Sequence, residues 1–238
     1  MPYQNEMDCL IFLFQLNNLN DSRESISPGI ITQHMKKKNF VIVFCCLLFS
    51  SGCTFVLKKI YGIKNPEFES HKKILDFKEQ IGFSSVPYLG LKLESLQTGH
   101  NISVPDVYVF NAQGKYIAYK DTSKLNCNAP AEVFLSALNA NTEYEFSDVY
   151  TLSTFMEVLE NPPCQNLENE NYNGFDFYIF MTFARYTGKK IYKDKSRLWY
   201  DALQQNKKIR YKLFMVNLDL KECWSPEQKS WLESKSNH

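Results

Sequence analysis

Glycine is scarce in this chain, 9 among 238 residues. Neither GxGxxG nor GxxxxGK[ST] occurs. Those glycine-rich loops place backbone N–H groups around a nucleotide phosphate, so no such site is expected and no cofactor is called for. Histidine is scarcer still, at four residues. His71, His100 and His238 are far apart and lack HxxxH spacing, and no CxxC occurs, so no metal site is expected. An excess of either charge is also missing. The 27 Lys and Arg against 26 Asp and Glu leave a net charge of +1. This excludes a global basic field suited to nucleic acid and an acidic excess suited to cations. No GxSxG marks a hydrolase nucleophile.

What the chain does have is aromatic residues, 15% of the total, placed mostly inside apolar runs. It also has a patterned front end. Residues 35–53 read MKKKNFVIVFCCLLFSSGC. A basic stretch, Lys36 to Lys38, precedes an apolar run from Phe40 to Phe49, then Ser50, Ser51, Gly52 and Cys53. This order is that of a secretory signal. The apolar run is far short of the ~20 residues a membrane-spanning helix needs. A signal should start the chain, so Met35 is the expected initiator and 1–34 a mis-assigned start or a tail.

Ser50-Ser51-Gly52-Cys53 resembles the lipobox of bacterial lipoproteins, in the looser form found in Bacteroidetes. The family more often carries Leu where Ser50 stands. The resemblance implies cleavage before Cys53 and lipidation of its thiol. It further implies a membrane partner through that lipid and a site at the bacterial cell envelope. Thr54 to Lys59 lacks an acidic export signal, which points to the outer membrane with the domain facing the periplasm. Two or three acyl chains anchor stably, whereas a single chain binds only marginally.

Residues 54–66 read as a tether and 67–238 as a single α/β domain. Pro66 is expected to open a helix from Glu67 to Gln80. Val86 to Leu93 has strand character. Val107 to Phe110, the turn Asn111-Ala112-Gln113-Gly114, and Tyr116 to Tyr119 form a β-hairpin pattern. Helices are expected at Ala129–Leu138 with Val133, Phe134, Ala137 and Leu138 on one face, at Asp148–Glu160, and at Lys193–Gln205 with Leu198, Trp199 and Leu203 inward. Phe175–Phe183 and Ile209–Leu218 read as strong central strands, and Ser225-Pro226-Glu227 as the start of a last helix. Strands alternating with helices predict a mixed central sheet flanked by helices.

Two blocks resemble the thioredoxin fold. One is FDFYIFMTFARYTGKK, a helix, and IRYKLFMVNLD; the other is SVPDVYVFNAQGKYIAYKD followed by a helix. The blocks stand in reverse of thioredoxin order, so the resemblance implies a permuted strand order. It also implies a cis bond before Pro105. Where a thioredoxin carries CxxC this chain has Ala184-Arg185-Tyr186-Thr187-Gly188, so dithiol chemistry does not carry over.

Cys127, Cys164 and Cys223 remain beyond Cys53, and an exported compartment permits disulfides. Cys127 with Cys164 is the preferred pairing of the three available, and Cys223 beside Trp224 is expected to pack half-buried. Arg185 and Tyr186, at the tip of the first central strand, are nominated as an exposed pair for binding an anion or an extended peptide, and Pro105 as a further binding residue. Asp176 and Asp219 flank the central strands, where loop capping is the commoner role of a carboxylate. Lys189–Lys195 and Lys207–Arg210 are basic clusters that suit solvated faces or anionic lipid. The expected role is a non-catalytic binding or structural domain, with an envelope protein or peptide as partner and no nucleic acid. The alternative is a thiol-disulfide oxidoreductase using Cys127 or Cys164.

Overall fold

The structure, a computed structural model, describes residues 58–97, 102–119, 129–167 and 174–236. The signal-like segment, the lipobox-like run with Cys53, and Cys127 lie outside these. The described residues from Tyr61 onward form one compact unit. It holds a mixed seven-stranded sheet with helices packed on it. No helix among the described residues is long and apolar enough to cross a membrane.

In chain order the elements are β1 (Phe68–Glu69), α1 (His71–Gln80), β2 (Tyr88–Leu91), α2 (Leu93–Gln97), β3 (Val107–Asn111) and β4 (Lys115–Ile117). There follow α3 (Ala129–Ala137), β5 (Phe146–Thr151), α4 (Leu152–Glu157), β6 (Leu159–Glu160) and β7 (Phe177–Phe183). A single 3-10 turn, Arg185–Thr187, leads to α5 (Lys189–Ile191), a π-helical turn Tyr192–Ser196, and α6 (Arg197–Gln205). The chain closes with β8 (Tyr211–Asn217), β9 (Leu220–Lys221) and α7 (Pro226–Ser236). The sheet order is β5-β4-β3-β7-β8-β2-β6. The central strands β7, β8 and β2 are parallel, while β3, β4, β5 and β6 pair antiparallel.

Every residue of β7 is buried, so this strand is covered on both faces, as its unbroken apolar run requires. Phe177, Ile179, Met181 and Phe183 join one core with Ile74 and Phe77 of α1, Leu135 of α3, and Trp199 and Leu203 of α6. Tyr178 and Phe180 join the other with Tyr108, Phe110, Phe155, Leu159 and Phe214. That second core is built largely of rings in tilted and edge-on contact, with Phe180 stacked on Phe214 at 5.5 Å. Each ring fully removed from water contributes ~1.5–3 kcal/mol.

Several expectations change in detail. Pro66 does not open the first helix. Phe68–Glu69 pairs in parallel with Leu220–Lys221, and Ser70 caps α1 by accepting the Lys73 N–H. Asp148–Glu160 is not one helix. Phe146–Thr151 pairs with β4, and Thr151 with Thr154 forms a capping box that starts α4 only at Leu152. In α3 the inward residues are Ala131 and Leu135, with Leu138 just beyond, while Val133 is 68% exposed. In α6 Trp199 and Leu203 face the core, but Leu198 is 48% exposed. In both helices the sequence offers two adjacent apolar positions for one stripe, and only the neighbouring elements choose between them.

The two sheet edges differ. Strand β6 has two residues and is followed by a bridge between Asn161 and Gln165. Strand β5 is longer and exposed, but its register with β4 shifts between Lys115 and Tyr116, an irregularity that blunts an edge against pairing with another chain.

Candidate functional site

The carboxyl ends of parallel strands are where α/β sheets usually place their chemistry. Here the ends of β7, β8 and β2 carry a compact polar cluster built around Arg185, Glu69, Asp219, Asn217 and Lys221.

The turn after β7 is pinned from three sides. Tyr192, fully buried, accepts the Ala184 N–H at 2.7 Å and also contacts the Thr187 hydroxyl. Thr187 Oγ1 in turn donates to the Ala184 carbonyl at 2.9 Å. Tyr192 is the first residue of the π-helical turn, the kind of helix irregularity that re-aims a side chain. Gly188 lies at φ 81°, and a Cβ there would sit 1.9 Å from the Tyr61 carbonyl oxygen. Only glycine lets the segment around Tyr61 cross the turn this closely. Next to that crossing, the Lys64 N–H donates to the Tyr186 carbonyl at 2.7 Å.

Asp219 is 3% exposed. Both of its carboxylate oxygens accept the Arg185 backbone N–H, at 2.8 and 2.9 Å, and one accepts Asn217 Nδ2 at 2.8 Å. Burial pushes its pKa up, partly opposed by these hydrogen bonds, while the nearby Glu69 carboxylate pushes it further up. Asn217 must turn its amide nitrogen to this acceptor, so its Oδ1 faces away. That oxygen is buried without a partner among the described residues. Asn217 also lines a cavity of about 20 Å³ with His71, Tyr88, Gly90, Cys164 and Lys221, room for a water-sized group and no more. Burial holds the Tyr186 hydroxyl up at about 12.

The Arg185 guanidinium pairs with Glu69, and Lys73 lies 3.6 Å from the same carboxylate. The exposed pair expected at Arg185 and Tyr186 is therefore corrected. Both residues are half-buried, and the Arg185 side chain is 28% exposed and already engaged. Arg185 and Lys73 both face the Glu69 carboxylate, while Asp219 holds the Arg185 backbone. The cluster is a clasp joining the segment before α1, the turn after β7 and the segment after β8.

A second buried pair adjoins it. Lys221 Nζ lies 2.5 Å from Glu160 and donates to the Leu91 carbonyl at 2.7 Å. Burial pulls its pKa down, against the pull of Glu160 upward. A Cβ on Gly90 would meet Lys221 Nζ at 2.2 Å and Cε at 2.7 Å, so a glycine in β2 leaves the space this ammonium group occupies.

The expected Cys127–Cys164 pairing is corrected as well. Cys164 is bonded to Cys223, at a Cα–Cα distance of 6.1 Å. The parallel pairing of β1 with β9 carries the chain back to the carboxyl ends of β2 and β8, which puts Cys223 beside the loop that follows β6. Cys223 is exposed rather than packed, and Cys164 is half-buried at φ 55°. The Val104–Pro105 bond is cis, and Pro105 is buried. It stands beside the end of β7, where Thr182 Oγ1 accepts the Asp106 N–H at 2.7 Å and donates to the Ser103 carbonyl at 2.7 Å. Asp176 accepts the Arg210 N–H at 2.8 Å at the opposite end of the sheet. His71 contacts Tyr88, while His100 and His238 lie outside the described residues. No group of three metal-ligating side chains occurs among the described residues.

Glu69, Glu160, Asn217 and Lys221 carry the cluster, yet none was nominated from sequence. Glu69 and Lys221 sit in two-residue strands whose pairing spans nearly the whole domain, and local patterning has no signal for such a contact. Comparison with protein-family models, curated proteins and solved structures finds no match to this chain.

Proposed function

We propose that the chain is a lipid-anchored cell-envelope protein whose domain is a permuted thioredoxin-like module used for binding or structure and not for dithiol chemistry. The observation that carries this reading is the turn Arg185–Thr187. It occupies the strand-to-helix position at which thioredoxins keep their reactive cysteines, and here it holds an arginine clasped by Glu69 and Asp219. Its aliphatic hydroxyl, on Thr187, is engaged by Ala184 and Tyr192. The strand order β4-β3-β7-β8-β2, the cis bond before Pro105 and its position beside the end of β7 support the thioredoxin-like part. The segment from Met35 to Cys53 supports the lipid anchor, and the run Thr54 to Lys59, without an acidic export signal, supports the outer-membrane, periplasm-facing address. An envelope protein or peptide is the proposed partner.

The exposure of Cys223 favours a second reading, thiol-disulfide exchange at the 164–223 bond, because an accessible sulfur can be attacked by a thiolate. One experiment separates the two. Intact mass of the membrane-extracted protein is taken with alkylation before and after reduction. The binding or structural reading expects an acylated chain beginning at Cys53, one thiol alkylated before reduction and three after, and a bond that resists mild reductant. A chain beginning at Met1 sinks the anchor. A bond that opens and reforms with a glutathione buffer moves the oxidoreductase reading ahead.

A further inference from the structure

The two basic clusters of the sequence stand at opposite ends of the sheet. Lys189, Lys190 and Lys193 begin the helix that follows β7, whereas Lys207 and Lys208 follow its last residue, Gln205. Residues 189–205 rise about 25 Å along their axis. All five lysines are exposed. The first three are joined at their end by exposed Lys64, whose backbone is bonded to the Tyr186 carbonyl. Lys190 Nζ stands 5.0 Å over the Tyr61 ring. The exposed acids nearest in sequence to these four lysines are Glu67 and Asp194, two against four, while Glu69 and Asp219 are buried in the clasp.

The covalent chain enters the domain at the first of these ends. Tyr61, packed against Gly188, follows Cys53 by eight residues, and eight residues reach at most ~29 Å. A lipid on Cys53 would therefore hold the Gly188 end of the domain within that distance of a bilayer.

We propose that Lys64, Lys189, Lys190 and Lys193, around the Arg185–Gly188 turn, form the membrane-facing surface of the domain and lie against anionic lipid headgroups. The proposal rests on the lipoprotein reading. It deepens that reading by giving the anchored domain one orientation, with the carboxyl ends of the parallel strands toward the bilayer and the Asp176 end away from it. Lysines near an anionic surface each gain attraction that falls off within a Debye length, about 8 Å at physiological salt and 3 Å at 1 M.

The test uses the lipidated protein reconstituted into vesicles of zwitterionic lipid, or of the same lipid with 30% phosphatidylglycerol. Lysine acetylation rates are read residue by residue by mass spectrometry, and the intact mass is taken on the same sample. Labelling of Lys64, Lys189, Lys190 and Lys193 is expected to slow about fivefold on the anionic vesicles, with the protection erased in 1 M salt. Lys207 and Lys208 should label equally on both. Equal rates at all six lysines in a protein that carries acyl mass overturn the surface and leave the anchor standing. Protection at Lys207 and Lys208 instead overturns the orientation. A protein without acyl mass overturns the anchor, and this surface with it.

Discussion

The two ends of the β7–β8 pair use the same device in opposite surroundings. At one end Asp219 accepts the backbone N–H of Arg185; at the other Asp176 accepts the backbone N–H of Arg210. Each aspartate thus ties the end of one central strand to the chain beside the other. Asp219 is buried, and burial raises its pKa. Asp176 lies near solvent, and the Arg210 N–H and guanidinium lower its pKa. The first end adds a second buried ion pair and a disulfide, whereas the second adds only an Arg210 side chain that is 72% exposed. A hydrogen bond and an opposite charge are not stabilising in themselves; what decides their worth is how much hydration each group gives up.

Removing features from the two ends in turn sharpens this contrast. The largest effect should come from Cys164→Ser with Cys223→Ser. Loss of a crosslink with a sequence separation of 59 is expected to cost about 4 kcal/mol in the chain-entropy model, read by urea unfolding. A loss under 1 kcal/mol would mean that the bond is not a staple. Next, Glu160→Gln leaves Lys221 buried without a counter-charge and should cost about 3 kcal/mol. The paired change Glu160→Leu with Lys221→Met should recover most of that loss. If the pair of changes is as damaging as the single one, the ion pair is not the term at work.

Asp219→Ala strands the Arg185 N–H and the Asn217 amide in a buried place, at about 2 kcal/mol. Arg210→Ala, at the exposed end, should cost less than about 1 kcal/mol and should be further weakened by salt. The same pair of sites predicts opposite slopes with pH. The Asp176 contribution is present above the unfolded aspartate value, about 3.9, and is lost as pH falls through its lower folded pKa. The Asp219 contribution is fully present below about 3.9 and is lost as pH rises through its higher folded pKa. Stabilities measured relative to Asp176→Asn and Asp219→Asn between pH 3 and 7 should therefore diverge in opposite directions. Parallel curves would remove the contrast between the two ends.

Much of the fold was legible along the chain. The hairpin at Asn111–Gly114, the central strands within 175–183 and 209–218 and the Ser225 start of α7 follow from local patterns, because turn chemistry and apolar periodicity act over a few residues. Segment 146–160 was not legible. A helix is expected over Asp148–Glu160, whereas partnership with β4 draws Phe146–Thr151 into a strand.

The site divides in the same way. Sequence alone determined that the turn after β7 has no thiol, that an aspartate stands near each end of the strand pair, and that Pro105 opens the hairpin block. Tertiary structure alone decided that Arg185 is clasped and half-buried, that Lys221 reaches Glu160 through the space left by Gly90, and that Cys164 meets Cys223 and not Cys127. The physical reason is range. Turns, caps and strand periodicity are set by neighbours a few residues apart. A buried ion pair or a disulfide requires two distant segments to arrive in register, and here the two-residue pairing of Phe68–Glu69 with Leu220–Lys221 brings Glu69, Lys221 and Cys223 to one end of the sheet.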